Sequence, residues 1–409
     1  MSRDAQLAAV LGWLWRGAPP REVDRKARLV LLDTMGCVIA ASRKPKLRRL
    51  AARLAKVEPG KVRVPGYAQR FSVSAASYLF ATSACWDEAC EGLARAHGRP
   101  GVPVIAACHA LAQSLKLSFG ATLRAIIAGY EAGGRMGEAV RMAPGMHVDA
   151  TWPGLGVAVA VVRLSGGTAR QALDAVRIAA CQMPHSLYLP VKAGADARNT
   201  YLAHAAQLGL LAAHASLAGI TAPAGALDEI GAGSFAARGK WLLLEGYLKP
   251  YAAVRHVHYG VAAALALRPK LAGRLRAITR IELSTYAEAL TYCGNRAPKT
   301  PIQAQFSLSF GVAAALATGD LGPSAYGLDG RTIAGLERQV VLSENRVLTK
   351  SGRRGATLVV RLGGERLAYS VDRVSGDPGL PMTRAEVLAK FERYSGRPAT
   401  AAEKRLSRP

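Results

Sequence analysis

The sequence predicts a mainly α protein that carries a smaller second domain of the α+β class. Three observations lead to this prediction. From Asp4 to about Gly246, apolar residues recur at three- and four-residue spacing, as in amphipathic or buried helices. Beyond about Tyr251, β-branched residues appear with partial alternation. A chain of 409 residues is also longer than one compact core usually supports. We therefore predict an all-helical domain over 1–248, an α+β domain over 249–382, and a C-terminal helix within 383–409 that returns to the first domain.

In the first domain, the periodicity predicts helices, in chain order, over 23–41, 119–140, 154–164, 169–180 and 199–218. Several of these segments contain so little charge that they are expected to be buried on most sides. The high content of Ala and Gly is compatible with close packing of these helices.

In the second domain, strands are predicted over 275–285, 339–342, 356–362 and 365–371, with a helix over 304–318. Gly363 and Gly364 separate the last two strands and predict a hairpin turn. A stretch rich in Gly and Pro follows, and then a helix over 384–393. Thr383 is its expected N-cap, with Glu386 three residues later as in a capping box.

The charge of the chain is strongly positive, with 54 Lys and Arg against 28 Asp and Glu, or +26. The basic residues form only short clusters between apolar helical segments, so no nucleic-acid partner is expected. The same background favours the binding of small anions. The apolar stretches are shorter than the ~20 residues that span a bilayer, so no membrane partner is expected. An N-terminus without a basic leader and six sparse cysteines favour a cytoplasmic location.

Motifs for metals, cofactors and hydrolytic nucleophiles do not fit this sequence. Cys85 and Cys90 lack the spacing of a zinc or iron–sulfur site. No glycine-rich phosphate loop follows a predicted strand, and neither Ser74 nor Ser309 lies in a G-x-S-x-G turn. We therefore expect no metal and no cofactor, and the sequence favours acid–base chemistry by side chains.

Six segments together resemble the MmgE/PrpD family in order and spacing. They are DTMGCVIAAS from Asp33, IIAGYEAGGR from Ile126, GMHVDATWPGLG from Gly145, RNTYLAHAAQLG from Arg198, AQFSLSFG from Ala304 and VSGDPGLPMTRAEVLAKF from Val374. This family contains 2-methylcitrate dehydratase, cis-aconitate decarboxylase and an iminodisuccinate epimerase. The resemblance implies a large helical domain, a smaller α+β lid, a site in the cleft between them, no cofactor, a small carboxylate substrate and a homodimer.

The resemblance also implies four catalytic residues. The family reads His-Ala-Leu-Asp-Phe-Asp-Asp-Thr and later His-Pro, where this chain has ACWDEACE over 84–91 and then His97-Gly98. Asp87 and His97 match this pattern at the same separation. His147 matches the histidine of a Gly-Phe-His segment, and His258 matches a lid-domain histidine before a helix. If the resemblance is set aside, the sequence predicts that His97 is a histidine of a surface loop and that His147 caps a helix.

Several positions that the resemblance places at the substrate depart from the family pattern. Arg198 stands where the family has a lysine, Glu91 where it has a threonine, and Phe310 where it has a tyrosine. Arg198 keeps a carboxylate-binding cation but stays charged, so it is a poor proton donor or acceptor. Lys192 is a second candidate for the missing lysine. These four residues are the implied substrate-binding set, and their departures predict a substrate other than 2-methylcitrate.

Dehydrating or decarboxylating a polycarboxylate requires proton transfer next to a carboxylate. A neutral histidine can serve there as base and then as acid. Cations, among them Arg255, hold the carboxylates and stabilise an enolate-like transition state. The leading hypothesis is a cofactor-independent lyase, either a dehydratase or a decarboxylase, that acts on a small di- or tricarboxylate. The alternatives are an isomerase or epimerase, a biosynthetic enzyme with another anionic substrate, and a homologue without activity.

Overall fold

The computed structural model describes residues 2–327 and 330–400, and these form the predicted mainly α fold with a small mixed sheet in the second domain. The described residues contain 18 α-helices: α1 Arg3–Arg16, α2 Arg21–Ala41, α3 Pro45–Val57, α4 Val73–Cys85, α5 Gly101–Ser114, α6 Phe119–Ala139, α7 Pro153–Leu164, α8 Ala169–Cys181, α9 Leu189–Ala193, α10 Tyr201–Leu217, α11 Ala226–Glu229, α12 His258–Leu267, α13 Ala287–Cys293, α14 Pro301–Gln305, α15 Leu308–Thr318, α16 Arg331–Arg338, α17 Arg346–Ser351 and α18 Arg384–Ser395. The strands are β1 Val62–Arg63, β2 Arg70–Phe71, β3 Ile278–Thr285, β4 Val340–Glu344, β5 Ala356–Leu362 and β6 Glu365–Val371.

Helix α7 lies at the centre of the large domain and is buried along almost its whole length. It packs against α6 on one side and α10 on another. Glycines allow this close approach, because a Cβ added at Gly129 of α6 would lie 2.6 Å from the Cβ of Ala160 and 2.8 Å from the carbonyl oxygen of Gly156. The backbones therefore touch where larger side chains would hold the helices apart.

The GYEAGGR segment of α6 has a structural role. Both oxygens of the Glu131 carboxylate accept hydrogen bonds, from the backbone N–H of Leu242 at 2.9 Å and of Leu243 at 2.8 Å. Arg135, one turn later, donates to Glu131 at 2.6 Å and to the carbonyl of Lys240 at 2.7 Å. This buried pair fixes the segment that leads from the helical domain towards the second domain.

The second domain is built on a four-stranded sheet of order β4-β3-β5-β6. β3 runs parallel to β4 and antiparallel to β5, and β5 and β6 form the predicted hairpin. Its turn is Gly363–Gly364, where both residues have positive φ, as the sequence predicts. Helix α12 packs on this sheet and against α15, so the domain has its own apolar core.

The last described helix, α18, packs along α2 of the large domain. Thr383 and Glu386 form the capping box that the sequence predicts. The ammonium group of Lys390 is buried between two large-domain groups, the Asp33 carboxylate at 2.6 Å and the carbonyl oxygen of Ala89 at 2.7 Å. Residues 401–409 of the predicted range 383–409 lie outside the described residues.

Two local features differ from the sequence-based expectations. The helix predicted over 304–318 is divided into α14 and α15, because Ser307 leaves the helical conformation and its side chain caps α15 by accepting from the N–H of Phe310. Within the helical domain, β1 pairs with β2 as a short antiparallel hairpin. In the part of the chain that the structure describes, no helix has both the length and the apolar character to cross a bilayer.

Candidate active site

A cavity of about 210 Å³ lies where the two domains meet, and both contribute to its wall. The large domain supplies the loop between α4 and α5, the segment around His147, and Arg198 just before α10. The second domain supplies the segment 254–256, Tyr292 of α13 and Arg354 just before β5. Because α4, α5 and α10 are buried helices of the core, the loops at their ends are held in fixed positions.

The Glu88 carboxylate is the centre of a buried cluster of charges at this cavity. Its Oε2 lies 2.5 Å from Nη2 of Arg198 and 3.1 Å from Nη1 of Arg99. Its Oε1 lies 2.6 Å from the ammonium nitrogen of Lys249, which also donates to the Glu88 carbonyl oxygen at 3.0 Å. The side chains of all four residues are at most 4% exposed, so water screens these ion pairs little.

Asp149 is the second carboxylate of the cluster. It pairs with Arg99, and Nη2 of Arg198 lies 3.6 Å from its Oδ2. Although burial alone would raise both values, the pKa of Glu88 is held well below its ordinary range and that of Asp149 is lowered, because the Arg99 and Arg198 guanidinium groups lie beside both carboxylates. Both carboxylates are therefore ionised at neutral pH.

A pair of cysteines lies behind Arg99 and does not line the cavity. Nη1 of Arg99 is 3.4 Å from the sulfur of Cys90. A hydrogen bond from the Cys85 thiol lowers the pKa of Cys90 to about 6, against the effect of burial and with help from Arg99. Arg99 thus also contacts a thiol on the side away from the cavity.

His147 lines the cavity with one ring nitrogen already occupied. Its Nδ1 accepts the backbone N–H of Asp149 at 3.2 Å, so the neutral ring carries its proton on Nε2. Burial lowers the pKa of His147 to about 4, and the nearby Arg198 and Arg99 add to this effect while Asp149 opposes it. The ring also stacks on Tyr188 at a centroid distance of 5.8 Å. His147 is therefore a neutral hydrogen-bond donor at pH 7, and it caps the short helical turn 148–150 as well.

His97 lines the same cavity, but it is exposed whereas His147 is buried. It has a positive φ of 53° at the end of a short helical turn, and it is exposed. Within the described residues, neither of its ring nitrogens makes a hydrogen bond. Burial of part of the ring lowers its pKa from the ordinary value, and Glu288 opposes this shift. Of the three candidate histidines, His97 is the one that exchanges protons most readily with a ligand or with solvent.

His258 lies behind the cavity wall and does not line it. Its Nδ1 accepts from Nη1 of Arg255 at 3.2 Å, and its Nε2 then donates to the carbonyl of Ala253 at 3.0 Å. Arg255, which does line the cavity, is also held by Asp377 of the GDPGLP segment. The structure thus places His258 as a support for Arg255.

The other residues named from the sequence lie outside the cavity wall. Asp87 is buried and pairs with Lys44 at 3.2 Å. Glu91 accepts the backbone N–H of Gly101 at 2.9 Å and so caps α5, and burial raises its pKa to about 8. Lys192 of α9 is exposed, with its carbonyl bound to Gln303. Phe310 stacks on Tyr326 within the second core at 5.6 Å.

The structure therefore brings together His97, His147, Arg198 and Arg255. It adds lining residues that the sequence analysis did not name as site residues: Glu88, Arg99, Asp149, Tyr188, Tyr247, Lys249, His256, Glu288, Tyr292, Phe306 and Arg354. One signal was available for Glu88, since it lies beside Asp87 in the segment where the family carries its acids. The remaining partners are distant in sequence.

A cationic, histidine-lined cavity between two domains is an arrangement that can bind a small anion. The chain belongs to the MmgE/PrpD family: the MmgE/PrpD N-terminal domain matches residues 5–239 and the MmgE/PrpD C-terminal domain matches residues 251–407. Members of this family are generally lyases or related enzymes, and the family is consistent with a lyase-type activity. Among curated proteins, no sequence matches the chain at a significant level.

Proposed function

We propose that this protein is a lyase that acts on a small di- or tricarboxylate by transferring a proton next to a carboxyl group. The observation that carries the proposal is the charge of the cavity wall. Among the described residues that line it, five side chains are cationic and three are carboxylates: Arg99, Arg198, Lys249, Arg255 and Arg354 against Glu88, Asp149 and Glu288. A positive excess in a partly closed cavity favours an anionic ligand.

The division of roles follows from the hydrogen bonds. Arg198 and Lys249 are fixed by Glu88 and present their remaining donors to the substrate carboxylates. His147 offers an Nε2–H donor to the oxygen on which negative charge develops. His97, with both ring nitrogens free of hydrogen bonds to the described residues, removes the proton and returns it to the leaving group or to the product.

Arg198 is the departure from the family pattern that lines the cavity, and it supports a substrate other than 2-methylcitrate. Arg198 introduces a two-pronged donor where the family has a lysine, so carboxylates are held in a different geometry. We expect poor turnover of 2-methylcitrate and cis-aconitate.

The test is incubation of the protein in deuterated water with 2-methylcitrate, citrate, cis-aconitate and iminodisuccinate, with products and deuterium uptake followed by mass spectrometry. These anions should also raise the melting temperature by binding the native state. His97→Asn is the decisive variant, because asparagine tolerates the positive φ and removes the base. His214→Asn, at an exposed histidine of α10, is the matched control. Absence of both anion binding and deuterium exchange would contradict the proposal.

A further inference from the structure

His256 is a cavity residue that lies two positions before His258 and points to the other side of the short turn that carries them. It lines the cavity, and its Nδ1 is 2.6 Å from the hydroxyl oxygen of Tyr286. Nothing in the sequence pattern marks it as a site residue. Its surroundings nevertheless parallel those of His147.

The hydroxyl of Tyr286 determines where His256 carries its proton. Tyr286 is 4% exposed and does not line the cavity. In the part of the chain that the structure describes, Nδ1 of His256 is the hydrogen-bond partner of this hydroxyl. If Nδ1 carried the proton, the hydroxyl hydrogen would remain buried without an acceptor, which is unfavourable. The hydroxyl therefore donates to Nδ1, and the neutral ring holds its proton on Nε2.

The Nε2 atom of His256 forms no hydrogen bond with the described residues. Burial lowers the pKa of His256 to about 3, with additional contributions from Arg354 and Lys249. The ring is thus neutral at pH 7, and its one free polar atom is a donor at the cavity. His147 has the same arrangement, with Nδ1 occupied by a donor.

A continuous set of rings connects these two histidines across the domain boundary. His147 stacks on Tyr188 at 5.8 Å, Tyr188 meets the edge of Tyr292 at 5.7 Å, and Tyr292 stacks on His256 at 6.0 Å. Tyr188 belongs to the large domain and Tyr292 to the second. This row fixes the orientation of both imidazoles and places one donor from each domain on the cavity.

We propose that His256 is a substrate-binding residue, whose Nε2–H, oriented by Tyr286 and Tyr292, donates to a carboxylate of the anion bound in this cavity. This inference rests on the proposed function, since it assumes an anionic ligand in the cavity. It assigns Tyr286 as a positioning residue. His97 is left as the histidine that exchanges a proton.

The position of the proton is tested first and without ligand, by ¹⁵N NMR of protein labelled at histidine, with the His256 signals assigned by their loss in His256→Gln. The expected result is a protonated Nε2 and an unprotonated Nδ1 that accepts a hydrogen bond. Tyr286→Phe should shift the ring towards a mixture of both tautomers, whereas Tyr369→Phe, at a half-exposed tyrosine of β6, should not. A wild-type ring protonated on Nδ1 would overturn the inference.

The role in binding is tested by calorimetric titration with citrate, cis-aconitate and succinate. His256→Gln keeps an N–H donor near the position of Nε2 but loses the contact with Tyr286, whereas His256→Asn keeps an acceptor for Tyr286 but has no donor at the cavity. Affinity should fall about 10-fold in His256→Asn and by no more than about 3-fold in His256→Gln. Equal affinity of wild type and His256→Asn would overturn this inference alone. A wild-type protein that binds none of the three anions would overturn the proposed function with it.

Discussion

The two sides of the cavity are built differently. On the large-domain side, Glu88, Arg99, Asp149 and Arg198 are almost completely buried and paired with one another. On the second-domain side, the charged residues Arg354 and Glu288 form a looser and partly exposed pair at 3.7 Å, and Tyr292 is 47% exposed. The large domain thus holds a buried network of paired charges, while the second domain adds less buried charges and a ring donor at His256. Changes on the first side should therefore affect stability and binding together, and changes on the second should affect binding alone.

The largest expected effect is that of Glu88→Gln. It leaves Arg99, Arg198 and Lys249 without the carboxylate that they share, in a buried site. The free energy of unfolding should fall by about 3–5 kcal/mol, measured by urea denaturation. The matched control is Glu365→Gln, which removes a partner of Arg274 in an exposed ion pair and should cost no more than about 1 kcal/mol. Equal losses in the two variants would mean that the buried cluster does not stabilise the fold.

Arg198→Lys should have the next largest effect. A lysine keeps the charge but has a single nitrogen, whereas only Nη2 of the guanidinium group lies beside Glu88 and Asp149, so the lysine has no second nitrogen for a ligand. Citrate affinity should fall about 10-fold, as measured by calorimetry, with a smaller change in stability. Arg170→Lys, at an exposed helix pair with Asp174, is the control. An unchanged affinity in Arg198→Lys would remove this residue from the binding site.

A smaller effect is expected from pH. Because burial lowers the pKa of His97 from its ordinary value, the ring is neutral, and able to accept a proton, at neutral pH. The value of kcat/KM should therefore be level above that pH and fall about 10-fold per pH unit below the pKa of His97. His147, whose pKa is about 4, should not contribute to the pH dependence of kcat/KM near neutral pH. A profile in which the rate rises as pH falls would contradict the role of His97 as base.

The smallest effect is expected from Phe310→Tyr, which restores the residue that the family pattern has at this position. Phe310 stacks on Tyr326 in the second core and does not line the cavity. Citrate affinity and kcat should remain within about 2-fold of wild type, since most changes away from a site have little effect on it. A large gain of activity with 2-methylcitrate would place the side chain at the substrate instead.

Much of the fold could be predicted because its helices and strands have apolar residues at regular spacing. The segment 356–362 and the helix after Thr383 were found this way, the second with its capping box. The hairpin β1–β2 could not be predicted, because each strand has only two residues and is too short to show an alternating pattern. The break before α15 depends on one serine cap, which competes with an otherwise continuous apolar pattern.

The site could be predicted only in part. His97, His147 and Arg198 were named from local motifs, but the ion pairs between them and the rest of the cavity join distant residues. Lys249 reaches Glu88 across 161 positions, and no local pattern encodes this contact. The family pattern assigned His258 to the site, whereas His256, two positions earlier and on another face of the turn, lines the cavity. Packing around Arg255 and Tyr286 decides which face meets the cavity.

The buried contact of Lys390 has a consequence for how the molecule assembles. Its ammonium group binds the carbonyl of Ala89, in the loop that carries Glu88 and His97, although 301 positions separate the two residues. During synthesis from the N-terminus, this loop would therefore be completed only after α18 has left the ribosome. Such long-range closure slows folding and prolongs the exposure of unpaired surface. A nascent chain that stops short of α18 is expected to hold its helical core but not an ordered cavity.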